Sequence, residues 1–142
     1  MATTQRTPRR VAVDTGALLA LASTRDQYHQ RARRTAEQLR ATGARLTGHT
    51  LVLGELHGHL IRRSGPSTAR RVIGGLMDDR ACDWVEVNNA LLERALSHWI
   101  DRFGDQRFSL TDAVTFELMR ERRITHAFAF DVDFQTAGFV LL

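Results

Sequence analysis

A chain of 142 residues with 43% hydrophobic and 25% charged residues has the size of one domain built on one core. The formal net charge is +4 and every basic residue is arginine, so chemistry that needs a lysine is excluded. No apolar run approaches the roughly 18 to 20 residues that cross a bilayer, and a single cysteine, Cys82, excludes an internal disulfide and a cysteine-rich metal motif.

Residues 1–9 read as a basic, flexible lead-in and residues 10–142 as one domain. The polar, basic start is followed by a short apolar stretch broken at Asp14, which makes a poor signal peptide. The expected location is the cytoplasm. Arg10-Val11-Ala12-Val13 is a short buried strand that stops on Asp14, and Thr15-Gly16-Ala17 opens a helix directly behind it. Asp26 is positioned to cap a second helix that runs to Ala41 and stops at Gly43. That helix carries Arg31, Arg33, Arg34 and Arg40, and its apolar stripe includes Tyr28, Ala32, Ala36 and Leu39. A brief strand follows at 44–47.

Thr50 then caps a helix to Ser64, with Leu51, Leu53, Leu56, Leu60 and Ile61 facing inward and Glu55 in its first turns. Ser64-Gly65-Pro66-Ser67 is a break, and Pro66 suits the first turn of a helix that reaches Met77. Cys82 to Val87 alternates as a half-buried strand. Asn88 caps a long helix to Phe103, a loop covers 104–108, and Ser109 opens a helix to Arg122. The run Ala127-Phe128-Ala129-Phe130 is a buried strand that ends on Asp131, with Asp133 two residues on and pointing the same way. Phe139 to Leu142 is a last short strand. Strands alternating with helices predict an α/β fold, a mostly parallel sheet covered on both faces.

Asp14, Glu55, Asp112 and Asp131 share one feature, and Asp133 is a fifth candidate. Each lies at a strand end or in the first turns of a helix, and in an α/β sheet those positions converge on one rim. Each alone has a bland reading as a turn, cap or dipole-matching acid. Together they form a crowd of carboxylates that repel one another unless a cation compensates. An all-oxygen ligand set suits a hard ion, Mg²⁺ or Mn²⁺, and such a site can polarise a phosphodiester.

In order and spacing, Asp14 behind Val-Ala-Val, Glu55 on the third helix, Ser109-Leu-Thr-Asp112-Ala-Val, and Ala-Phe-Asp131-Val-Asp133-Phe ahead of Ala137-Gly138-Phe139 resemble the PIN domains. More closely they resemble the VapC-like ribonuclease toxins of bacterial toxin–antitoxin pairs. The resemblance covers residues 10–142. It implies a three-layer α/β/α sandwich and a Mg²⁺-dependent endoribonuclease, with Mn²⁺ as a substitute ion. Asp14, Glu55, Asp112 and Asp131 would be its catalytic acids. Asp14, Asp112 and Asp131 would hold the metal, with Asp133 as a further ligand, and Thr15, Ser109 and Thr111 would be supporting polar groups. Glu55 would position or deprotonate the attacking water, or serve as another ligand. It further implies an RNA substrate bound by surface arginines, a cognate antitoxin protein and a homodimer, with no membrane.

Rival readings are weaker. Asp131-Val-Asp133 resembles a haloacid-dehalogenase nucleophile motif, but the rest of that domain has no room and no lysine is present. A receiver domain also needs a lysine. The alternative that remains is a catalytically silent RNA- or protein-binding module of the same fold. His49, His57 and His59 cluster near Glu55, but His57 and His59 point about 200° apart on a helix and do not share a metal easily. Cys82, Trp84 and Trp99 read as core.

Overall fold

The computed structural model describes Arg6 and residues 8–142. The expected flexible lead-in falls mainly on residues 1–5 and 7, which lie outside the described residues. Strands and helices alternate: β1 (Arg10–Val13), α1 (Thr15–Ala22), α2 (His29–Ala41), β2 (Arg45–His49), α3 (Thr50–Ser64), α4 (Pro66–Asp78), β3 (Cys82–Val85), α5 (Asn89–Ala95), a π-helical segment (Leu96–Asp101), α6 (Leu110–Arg122), β4 (His126–Phe128), α7 (Asp133–Thr136) and β5 (Val140–Leu141).

The five strands form one sheet in the order β3-β2-β1-β4-β5. Every pairing is parallel, as the alternation predicts. β1 is central, and Ala12 lies level with Thr47 on one side and Ala127 on the other. The chain leaves β1 toward β2 and later returns on β1's other flank as β4. Their shared carboxyl edge is therefore a topological switch point, where open α/β sheets bind ligands.

Successive residues of β1 serve opposite layers, because side chains alternate along a strand. Val11 and Val13 join Phe128 in a core cluster filled from α1, α2, α3 and α4. Ala12, Ala127 and Ala129 face a second cluster built from α5, the π-helical segment, α6 and α7. Phe116 is the centre of the second layer. Its ring lies 5.0 to 5.7 Å from those of Phe134, Phe108, Trp99 and Phe139. Each fully buried ring of this kind contributes about 1.5–3 kcal/mol from area alone.

Several boundaries move for identifiable reasons. α2 begins at His29, because Asp26 Oδ1 accepts the Tyr28 N–H at 2.8 Å in a turn ahead of the helix instead of capping it. Tyr28 is consequently an exposed residue at the helix entrance rather than part of the buried stripe. Thr50 does not cap α3; its hydroxyl accepts the Val87 N–H at 3.2 Å, tying α3 to the chain beyond β3. Leu53, Leu56 and Leu60 are buried, whereas Ile61 is exposed. Asn88 caps α5 as expected, accepting the Leu91 N–H at 2.9 Å, but the long helix passes into π geometry at Leu96. Cys82 is half-buried. Trp84 lies over Gly48 in the neighbouring strand, where a β-carbon would overlap the ring.

Candidate active site

The acids gather at the carboxyl edge of β1 and β4. Asp14 is the residue after β1, and its N–H donates to the Phe128 carbonyl at 3.1 Å, extending the β1–β4 ladder by one rung. That bond fixes the side chain at the rim, where it is only 8% exposed. Its pKa is pushed up to about 7, first by burial and then by the charge of Asp112. The N–H groups of Thr15 and Gly16, at the start of α1, oppose the shift, and Glu55 adds to it. Thr15 is equally buried, and its hydroxyl has no hydrogen-bond partner among the described residues.

Asp112 lies in the first turn of α6. Ser109 is the N-cap of that helix, its Oγ accepting the Asp112 N–H at 3.1 Å. Burial raises the Asp112 pKa to about 6 against the hydrogen bond from Ser109, and the charges of Asp131, Glu55 and Asp133 raise it further.

Asp131 and Asp133 reach the same place by a different route from the one expected. β4 stops at Phe128, so neither acid sits on a strand end. Asp131 Oδ1 accepts the Asp133 N–H at 2.9 Å, and Asp133 opens α7. This turn, not strand alternation, brings the two carboxylates to one side. Burial and the charge of Asp131 raise the Asp133 pKa.

Asp112, Asp131 and Asp133 each offer one carboxylate oxygen within 4.8 Å of the others; among the described residues no other group of three such side chains lies this close. Asp14 stands outside this triple but is coupled to it through Asp112. Glu55 is exposed on α3, and its charge acts on both Asp14 and Asp112, so it faces the same rim. His57 and His59 join no such group.

One supporting residue escaped the sequence reading, which set His49 aside with its neighbours on α3. His49 ends β2 and is fully buried. Burial lowers its pKa to about 4, so the ring is neutral at physiological pH. Its Nε2 lies 2.8 Å from Thr115 Oγ1 and 3.2 Å from the Thr111 carbonyl, and the Thr115 hydroxyl also donates to that carbonyl. The end of β2 is thereby fastened to the turn of α6 that carries Asp112. Thr111 contributes its main-chain carbonyl to this link. The available signal was position: a strand-end histidine immediately ahead of the helix bearing Glu55.

No ion pair among the described residues involves Asp14, Glu55, Asp112, Asp131 or Asp133. A crowded, partly buried, all-carboxylate set without a protein cation, next to an unpartnered buried hydroxyl, fits a hard divalent ion and its water shell. Zinc would draw on His or Cys, and none lies in the triple.

A family model for the PIN domain matches residues 11–140. The chain belongs to the PIN domain family. Two curated relatives, both the 23S rRNA-specific endonuclease VapC20 from two strains of Mycobacterium tuberculosis, are 38% identical over 89 residues. That match spans 63% of this chain and 66% of the relatives' length. Among solved structures, M. tuberculosis VapC20, described as a sarcin-ricin loop cleaving toxin, superposes with a TM-score of 0.80 at 32% identity. That superposition covers 92% of this chain and 96% of the other. VapBC2 from Rickettsia felis, solved on a promoter DNA fragment, has a TM-score of 0.69 over 94% of this chain and 97% of its own, at 10% identity, a likeness of fold alone.

Proposed function

We propose that this PIN domain is a divalent-metal-dependent endoribonuclease and the toxin of a toxin–antitoxin pair, working in the cytoplasm with Mg²⁺ or Mn²⁺. The observation that carries the reading is the convergence of Asp112, Asp131 and Asp133 within 4.8 Å, beside buried Asp14, with no cation among the described residues paired to them. The VapC20 relatives support the choice of substrate class. Ribosomal RNA, and a sarcin–ricin stem-loop in particular, is the first substrate to try.

In this mechanism Asp112, Asp131 and Asp133 would hold the ion, with Asp14 as a further ligand, directly or through water. The ion, when bound, supplies Lewis-acid polarisation of the scissile phosphate and offsets charge on the leaving oxygen. Burial and the charge of Asp112 push the Asp14 carboxyl up to about 7, so it would serve as a ligand in its deprotonated form. Glu55 is exposed and reaches the rim from α3, so its carboxylate can take the proton of the attacking water. That water attacks phosphorus in line and the 3′ oxygen leaves. Ser109 and His49 hold Asp112 in place through the start of α6. Arginines outside the acid rim carry the RNA backbone, which makes binding salt-sensitive. A cognate antitoxin and a homodimer complete the proposal; a chain that stays monomeric at high concentration would remove the dimer.

The test is cleavage of a sarcin–ricin stem-loop and of total ribosomal RNA with Mg²⁺, Mn²⁺ or EDTA, alongside Asp112→Asn. Metal-dependent cuts at defined positions, absent from the variant, are the expected result. Absence of both cleavage and calorimetric metal binding would make the acids structural and put the silent binding module ahead.

A further inference from the structure

Beside the acids lies an aromatic feature that the metal chemistry does not use. Phe130 directly precedes Asp131, and the two α-carbons are about 3.8 Å apart. The chain has left β4 by this point, so the Phe130 ring is only partly buried, its inner side packed on the core. The Tyr28 ring stacks on it, with centroids 4.5 Å apart and planes 12° from parallel. Tyr28 is 39% exposed, and its hydroxyl has no hydrogen-bond partner among the described residues. Arg31, one turn further along α2, places its guanidinium 5.3 Å from the Phe130 centroid and forms no ion pair among the described residues.

A stack made only for the core would bury its outer ring. This one instead leaves Tyr28 part-exposed with the Arg31 guanidinium beside it, on a ring that is one residue along the chain from Asp131 of the proposed metal triple. We propose that Tyr28, Phe130 and Arg31 form a base-stacking subsite that receives an unstacked nucleobase flanking the scissile phosphate. The assignment rests on the nuclease reading above.

The chemistry on each side of Asp131 is complementary. The acids take the phosphate through an ion, and Tyr28 extends the Phe130 surface by one ring on which a base can lie. Arg31 supplies positive charge where the RNA backbone passes the acid rim, which otherwise repels it. Aromatic and guanidinium planes accept any base face, so the subsite selects a base that has left its helix rather than a particular base. The substrate it fits is a loop or bulge, not a continuous duplex. Tyr28 is well held for this role: Asp26 Oδ1 fixes its N–H at the entrance of α2, and the stack fixes its ring.

The test uses the full chain carrying Asp112→Asn, with sarcin–ricin stem-loop RNAs bearing 2-aminopurine at single loop positions. One position should be quenched on binding. Adding Tyr28→Ala should relieve that quenching and weaken binding about ten-fold or more, whereas Tyr28→Phe should retain both. Arg31→Ala should reduce the salt slope by about one. Tyr28→Ala also gives up the stack on Phe130, so melting temperatures are read for every variant and binding is measured well below the lowest of them, which separates the effect from misfolding. Unchanged quenching and affinity in Tyr28→Ala would overturn the subsite, as would equal losses in Tyr28→Ala and Tyr28→Phe. Cleavage by the protein without Asp112→Asn is scored separately: its absence, with the quenching pattern intact, would overturn the nuclease reading and leave the stacking surface standing. No binding to any of these RNAs would overturn both.

Discussion

Helix α6 carries two carboxylates with opposite fates. Glu117 is fully buried and is neutralised from within the chain. It accepts from Trp99 Nε1 at 2.9 Å and from Arg120 Nη2 at 2.6 Å, and His98 Nδ1 lies 3.1 Å away. Burial alone would raise its pKa, but these bonds win and lower it to about 2. Asp112, in the first turn of the same helix, is surrounded among the described residues by the Ser109 hydroxyl and like charges, and burial with those charges raises its pKa to about 6. Arginine is abundant in this protein, so the second arrangement is not forced by a shortage of cations. The C-terminal half of α6 is closed by the protein's own charges; its N-terminal end is open, with no balancing charge among the described residues.

Breaking the open end should give the largest effect. Asp112→Asn is expected to lower metal-dependent cleavage by roughly 100-fold or more, since even partners behind a ligand are worth about 10–100-fold. The same substitution removes a repelling charge, so without metal the variant should melt at or above the parent temperature. A clearly lower melting point in EDTA would mean that Asp112 is a structural acid.

Breaking the closed end should do the reverse. Glu117→Ala leaves the buried Trp99 N–H without an acceptor, at a cost of about 1–3 kcal/mol, and releases Arg120 and His98. Chemical denaturation should show that loss with or without Mg²⁺, while cleavage under stabilising conditions stays near the parent rate. Glu117→Gln keeps an acceptor for Trp99 and should lose less. Equal losses in the two variants would place the contribution in charge rather than in the indole hydrogen bond.

The sequence displayed one of these ends and hid the other. Asp14, Glu55 and Asp112 could be singled out because strand ends and helix starts in an α/β chain share a rim, and local patterning locates both; Asp131 stands out on the same ground although β4 stops at Phe128. The parallel sheet followed from alternation of the same kind. Glu117 gave no such sign: between Phe116 and Leu118 it lies inside a helix, away from strand ends and helix starts. Its burial depends on Trp99 and His98, which come from a π-helical turn that no local periodicity announces. The Tyr28–Phe130 stack was hidden for the same reason, since its partners are about a hundred residues apart in sequence. Asp133 lies between these cases, its direction set by the hydrogen bond to Asp131 rather than by a strand.

Acid titration sharpens the contrast because the two ends carry opposite signs. The Asp14 pKa in the fold is about 7 against an ordinary value of 3.8. The native state therefore holds this proton after the unfolded chain has lost it, and stability falls as pH rises from about 4 to 7. Glu117 sits at about 2 against 4.5. Its contribution is present above the unfolded value and disappears as pH falls toward 2. Metal-free melting temperatures should thus decline between pH 5 and 8, and Mg²⁺ should recover more at pH 8 than at pH 5. A metal-free curve that rises over that range would contradict the open-end description.

The smallest effect belongs to a pair that has Glu117's partners without its burial. Arg45 and Asp83 join β2 to β3, with Arg45 Nε donating to Asp83 Oδ2 at 3.0 Å and a second bond from Nη2 to Oδ1. The side chains are 45% and 37% exposed, so water screens the attraction and competes for both groups. A double-mutant cycle of Arg45→Ala and Asp83→Ala should return a coupling of about 0.2–1 kcal/mol, reduced further by salt. The guanidinium–carboxylate chemistry is the same as at Glu117, and the geometry is at least as good. A coupling as large as the Glu117→Ala loss would mean that burial is not what separates them. The open end of α6 could then no longer be read as a site that burial and missing partners make ready for a cation.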